Sequence, residues 1–287
     1  MTIKSKLPWQ AKIFAKIILS RIPIGYKNWA KLGIFRHGKM DDYSYAWGVL
    51  NRHVKNLPES SKAWNALELG PGDSLLSAFL APALGAKSIT LIDSDDFANK
   101  DMHLYRQQVR NFLFSYRKYK LPDYTKCKNI SEMLEVCGGT YHFEGLLSLK
   151  KLKKNSYDII YSQAVLEHIF YDDFSSTMSE CRRLLKPGGV MSHVIDFKDH
   201  LGGGLNNLRI DSVLWNKEWF ALKGNFYTNR LRLSQIKRIC ENAGFIVKVI
   251  EINRFGNKKI KRKQLSHEFA ELTDDDLSIS EAHLIMY

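Results

Sequence analysis

Cysteine is sparse. The four residues, Cys127, Cys137, Cys181 and Cys240, form no C-x-x-C pair, which gives neither zinc-ligand spacing nor a disulfide framework. Such usage points to a reducing, cytoplasmic compartment. Also missing is any apolar run near the ~20 residues that span a bilayer. Near the N-terminus, Ile13 to Leu19 is short, is broken by Lys16, and leads into Arg21-Ile22-Pro23 rather than a small-residue cleavage site, so no secretory signal is expected. Acid is absent before Asp41, where nine Lys or Arg residues stand, in a chain of net charge +13. This one-sided charge excludes an acidic, cation-seeking surface there and suits phosphate, nucleic acid or an anionic membrane surface.

What is present begins with enough apolar residue, 45% of 287, for a sizeable core. The length fits one α/β domain with an N-terminal extension, here placed at residues 1–58 and 59–287. Trp9, Ile13, Phe14, Ile17 and Ile18 recur at helical spacing among lysines over 8–20, before Pro23. A basic amphipathic helix of this kind suits a peripheral contact with a membrane, or packing across its own domain. A second helix is expected from behind Asp41-Asp42 to about Leu57.

Strands and helices then alternate. Strands are expected at 63–69, 88–92, 140–143, 157–162 and 190–197, and helices at 75–84, 97–119, 131–136 and 171–185. That order predicts a doubly wound, mainly parallel sheet. A helix at 233–243, a strand at 245–252, a basic helix and a last strand at 283–287 follow. The two late strands suit a hairpin on one sheet edge, which makes seven strands in all.

The most informative stretch is Ala66-Leu67-Glu68-Leu69-Gly70-Pro71-Gly72-Asp73-Ser74. An apolar strand runs into a tight glycine turn and then a helix. Glycines at 70 and 72 admit a ligand close to the backbone, and Asp93 ends the next strand, where a carboxylate reaches ribose hydroxyls. Leu75 occupies the place where a dinucleotide fingerprint needs glycine. An acid in the strand, Glu68, suits a cationic ligand without phosphate.

With Leu91-Ile92-Asp93, with 157–168 (Tyr-Asp-Ile-Ile-Tyr-Ser-Gln-Ala-Val-Leu-Glu-His) and with Leu184-Leu185-Lys186-Pro187-Gly188-Gly189, the chain resembles the class I S-adenosylmethionine (SAM)-dependent methyltransferases over about 60–200. The resemblance implies a Rossmann-like methyltransferase fold and SAM as cofactor. It implies that Glu68 and the loop Gly70, Pro71, Gly72, Asp73 and Ser74 border the methionine part, and that Asp93 with Ser94 holds the ribose. It also implies that Glu144-Gly145-Leu146 meets adenine, and that Ser162 and Gln163 close the floor. Ser74 stands where many members have a third glycine, and a serine there can cap the helix.

Methyl transfer to oxygen needs alignment and often a base. Candidates are His168, in Leu-Glu-His after the fourth strand, and His200, supported by Asp196 or Asp199 at the tip of the fifth. His193 reads as a core histidine. No metal is expected, since further ligands for Glu167 and His168 find no place. Gly202-Gly203-Gly204 suggests a loop that closes over the acceptor. An insert at about 200–232 offers Asn207, Arg209, Tyr227, Asn229 and Arg230 to an acceptor, joined by Arg36 and His37; a small hydrophobic cap is the competing reading. The acceptor is read as a small molecule or glycan, possibly phosphorylated or lipid-linked, with a weaker resemblance to methyltransferases of bacterial surface-polysaccharide assembly. A nucleic-acid methyltransferase is the second reading, but no N-P-P-Y-like motif follows the fourth strand. A non-catalytic SAM-binding module is the third.

Overall fold

The computed structural model describes residues 8–21, 40–58, 63–256 and 260–287. Arg36 and His37 lie outside them.

Two helices precede the sheet, α1 (Trp9–Ser20) and α2 (Tyr43–Val54). Asp42 caps α2 by accepting from Ser44 N and Tyr45 N, both at 3.0 Å. The alternating part runs β1 (Trp64–Leu69), α3 (Leu76–Leu80), β2 (Ala86–Ile92), α4 (Met102–Ser115), α5 (Ile130–Val136), β3 (Gly139–His142), α6 (Leu146–Lys151), β4 (Tyr157–Gln163), α7 (Tyr171–Leu184) and β5 (Leu185–Asp196). There follow α8 (Ser212–Trp215), α9 (Leu233–Asn242), β6 (Val247–Arg254), α10 (Asp274–Ser278) and β7 (Ile279–Met286).

The seven strands stand in the order β3-β2-β1-β4-β5-β7-β6. Five are parallel and β7 is antiparallel to both neighbours. The doubly wound sheet and its edge hairpin are therefore as expected. β1 and β4 are buried almost throughout because helices cover both faces.

Several elements depart from the sequence pattern, among them β5, which starts at Leu185, and β7, which starts at Ile279. The long helix expected at 97–119 starts only at Met102, because Asp101 caps it through His103 N and Leu104 N. A six-residue helix, α6, stands where none was expected between β3 and β4. In place of the basic helix there is a single 3-10 turn at Arg262–Gln264; residues 257–259 lie outside the described set.

One core packs α2, α3 and α4 on one face of the sheet, and a second packs α7 and α9 on the other. Ala46, Trp47 and Leu50 of α2 belong to the first core, continuous with β1. The insert around 200–232 has a small core of its own, built from Ile13, Leu201, Ile210, Trp215, Phe220, Ala221 and Phe226. Ile13 comes from α1, which packs on this cap with Trp9 and Ile17. All four cysteines are buried and free.

Candidate active site

The glycine turn is built by sterics. Gly70 and Gly72 have φ of +66° and +64°, in the left-handed region that side chains avoid. A Cβ on Gly70 would lie 2.6 Å from both γ-carbons of Val165, so the turn and the segment after β4 touch backbone to side chain. The turn is also tied to the tip of β2. Gly70 N donates to Ile92 O at 2.7 Å, and Gly72 N donates to Asp93 Oδ2 at 2.9 Å. Ser94 N donates to Asp93 Oδ1 at 2.8 Å. Ser74, buried, accepts from Leu76 N at 3.2 Å, so the serine holds the first helical amide as its type allows.

Glu68 works from beneath this turn. Its carboxyl is buried and accepts from the Ser77 hydroxyl and, at 2.9 Å, from Tyr161 OH. Burial pushes its pKa up to about 7, and the two hydroxyls only partly oppose that shift.

Across the crevice, Gly145 N donates to Asp93 O at 2.8 Å and Gly145 backs onto Ser94. The structure thus brings Gly70, Gly72, Asp93, Ser94, Gly145 and Leu146 together at the carboxyl ends of β1, β2 and β3, where open α/β sheets take ligands. Two expectations are corrected here. The Glu144 side chain is exposed and turned to Lys151 Nζ, 2.5 Å away, rather than into the crevice. Ser162 is wholly buried and bonds His193 Nδ1 at 2.7 Å. Strand alternation puts Ser162 and Gln163 on opposite faces, and the Gln163 amide oxygen is buried without a hydrogen-bond partner.

The donor set suits SAM. From Trp64 to Asn99 the chain has Glu68, Asp73, Asp93, Asp95 and Asp96 but only one cation, Lys87. A pyrophosphate would find no counter-charge at this turn, while an ammonium and a sulfonium would.

The acceptor side forms beyond β4 and β5. Val165 touches Gly70, and the 3-10 turn Leu166–His168 carries the chain onward from it. The rings of His168 and His200 face one another with centroids 5.0 Å apart, so the two candidate bases are neighbours. His168 Nδ1 lies 3.2 Å from Tyr227 O. A carbonyl only accepts, so that nitrogen donates to it.

The carboxylates proposed to support His200 are engaged elsewhere. Asp196 pairs with Lys198 Nζ at 2.9 Å. Asp199, buried, accepts from Leu201 N, Gly203 N, Asn206 N and Asn206 Nδ2. It pins the Gly202-Gly203-Gly204 turn, which was expected to swing.

Most of the expected acceptor residues hold the cap together instead. Asn207 Nδ2 donates to Thr228 Oγ1 at 3.0 Å, and Asn229 Nδ2 donates to Leu166 O at 2.7 Å and Ile169 O at 3.0 Å. Arg230, buried, donates to Ile210 O and Ser212 Oγ, each at 2.6 Å. Arg209 lies over the Trp9 ring, binding the cap to α1. Tyr227 is half-buried beside His168, and its hydroxyl accepts from Tyr171 N at 3.2 Å. A small cavity behind the histidine pair is lined by Glu167, Asp196, Lys198, Asn207 and Arg230 among others. Glu167 Oε2 and Asn207 Oδ1 are both buried there without a hydrogen-bond partner. Burial raises the Glu167 pKa well above the usual carboxylate range.

A buried histidine cluster went unseen in the sequence. His53 Nδ1 and His283 Nε2 each lie 2.8 Å from Ser192 Oγ, and His53 stacks on Tyr161, the partner of Glu68. Burial lowers the pKa values of His53, His193 (to about 3) and His283 (to about 4), so all three are neutral. The cluster fastens α2 to the sheet under the glycine turn. His193 is the core histidine expected.

Residues 113–192 match the family model for a methyltransferase domain. Among solved structures, a SAM-dependent methyltransferase of Archaeoglobus fulgidus is similar, with 11% identity, 85% of this chain and 94% of that one covered, and a TM-score of 0.46. Another is a SAM-dependent methyltransferase of Mesorhizobium loti, with 16% identity, 84% and 96% covered, and a TM-score of 0.43. Phosphoethanolamine N-methyltransferase 2 of Haemonchus contortus, in complex with SAM, shows 15% identity, 85% and 52% covered, and a TM-score of 0.44; the chain spans about half of that enzyme. No curated protein matches the chain significantly.

The strand order with its antiparallel β7 and the glycine turn tied to Asp93 give the Rossmann-like sheet, on which residues 113–192 carry the match to a methyltransferase domain. The protein's cofactor is SAM. Among the described residues no cluster of three or more His, Cys, Asp or Glu suits a metal, and no helix is long and apolar enough to cross a membrane.

Proposed function

We propose that the enzyme methylates a hydroxyl of a sugar or another small, hydroxyl-rich acceptor, one that bears phosphate or a lipid-linked phosphate. The observation that carries this reading is His168, oriented by its Nδ1–H on Tyr227 O, beside His200 and next to the cofactor turn through Val165. Bound SAM supplies the methyl group on its sulfonium. The protein's part is to align the hydroxyl oxygen in line with the methyl–sulfur bond and to receive the hydroxyl proton on His168 Nε2 as the new bond forms. His200 shields the same proton path. The role first read for His200 thus passes mainly to His168, because Asp196 and Asp199 serve Lys198 and the loop.

For the acceptor class, Asn207, Asp196 and Lys198 set polar groups around a water-sized cavity next to Glu167, the chain neighbour of His168. The basic N-terminal stretch suits phosphate.

The test begins with calorimetry against SAM, S-adenosylhomocysteine and NAD. Labelled SAM is then offered with sugar nucleotides, polyprenyl-phosphate sugars, simple amines and RNA. Binding of the first two ligands but not NAD, with label on a sugar oxygen, is expected. Label on an amine nitrogen or on RNA would overturn the acceptor assignment.

A further inference from the structure

The described part of α1 is apolar on two sides. Trp9, Ile13 and Ile17 enter the cap core. On the opposite side Ala11, Phe14, Ala15 and Ile18 face solvent, with Phe14 69% exposed. The cap adds exposed apolar side chains of its own. Phe220 and Ala221 pack in the same small core as Ile13, and their chain neighbours Trp219 and Leu222 are exposed. Cations stand beside these side chains. Arg21 and Lys217 are exposed, the acid next to Trp219, Glu218, pairs with Lys223 at 3.2 Å, and no acid occurs anywhere from Met1 to Met40.

We propose that this face, Phe14 and Ile18 of α1 with Trp219 and Leu222 of the cap, docks on an anionic phospholipid surface. The apolar side chains enter the acyl boundary while Arg21 and Lys217 meet the headgroups. RNA shares the attraction to positive charge, but a phosphate backbone gives four bulky apolar side chains little to bury against. The geometry is that of an interfacial helix: one face fixed to the protein, the other unpartnered, with the cations between. The proposal is independent of the acceptor assigned above.

The test is co-sedimentation of the full chain with phosphatidylcholine vesicles, and with vesicles also holding about 30% phosphatidylglycerol, in about 0.1 M salt. Sedimentation with the anionic vesicles and not the neutral ones is expected. The double variant Phe14→Ser, Trp219→Ser should bind at least about fivefold more weakly with an unchanged thermal midpoint, since both side chains are exposed. Arg21→Gln with Lys217→Gln should weaken binding to the anionic vesicles. Failure to sediment with anionic vesicles, equal binding to neutral ones, or full binding by the Ser variant would each overturn it. So would salt-sensitive retention of RNA in place of vesicles.

Discussion

Glu68 is a carboxyl that folding makes harder to ionise. Its pKa of about 7 lies above the unfolded value of 4.5, so the folded chain holds a proton that the unfolded chain releases between those values. The stability linked to this site is fully present below pH 4.5 and is lost as pH rises through about 7, by about 3 kcal/mol at most. Glu68→Gln should flatten this part of the stability curve; urea melts at pH 5 and pH 8 would show it. A variant with the same pH slope as the parent would show that Glu68 ionises normally. Asp93 carries a different load, since one carboxylate must both hold Gly72 N and reach the ribose. Asp93→Ala should weaken SAM binding by about 2–3 kcal/mol, which calorimetry would read directly. For the chemical step, His168→Ala should lower kcat about 10²–10⁴-fold with SAM affinity unchanged, and His200→Ala should cost less. Equal losses in both would make the pair act as one group.

At the scale of elements, the touch between Gly70 and Val165 decides how the turn and the segment after β4 sit. Gly70→Ala forces a Cβ to 2.6 Å from Val165 at a φ of +66°, and should destabilise the protein by about 2–4 kcal/mol. Adding Val165→Ala should recover the steric part and leave the backbone part, which a double-mutant cycle in thermal melts would separate. These elements were largely legible in the sequence, because turn glycines, strand-end acids and capping residues act locally. Gly70, Gly72, Asp93 and the hairpin of β6 and β7 needed only near neighbours to declare themselves. The rest depended on distant partners. His53 looks like any helical histidine until Ser192 meets it. Arg230 reads as an acceptor contact until backbone carbonyls surround it. Ser162 looks like a floor residue until His193 takes its hydroxyl. α6 was missed because six residues are too few to show a helical period, and α4 was drawn too long because Asp101 breaks the pattern with a cap.

At the scale of the whole molecule, α2 is part of the domain rather than an appendage. Ala46, Trp47 and Leu50 fill the core beneath β1, and His53 stacks on Tyr161. A chain lacking residues 1–58 should therefore fail to give a cooperative melt or to bind SAM. A truncated form that melts sharply would show that the boundary at 58 is a true domain limit. The same packing routes the N-terminal region from the cap, through α1, to the floor of the cofactor crevice, through α2.

Ser192 has a consequence for how such a chain comes together. Its single hydroxyl joins partners 139 residues upstream and 91 residues downstream. Neither loop can shorten the other, so the junction closes only after most of the polypeptide has collapsed around it. Contacts made that late govern how fast the native state comes apart rather than how fast it forms. Ser192→Ala should hasten unfolding while leaving the refolding rate nearly unchanged, which makes this oxygen a latch on the lifetime of the fold.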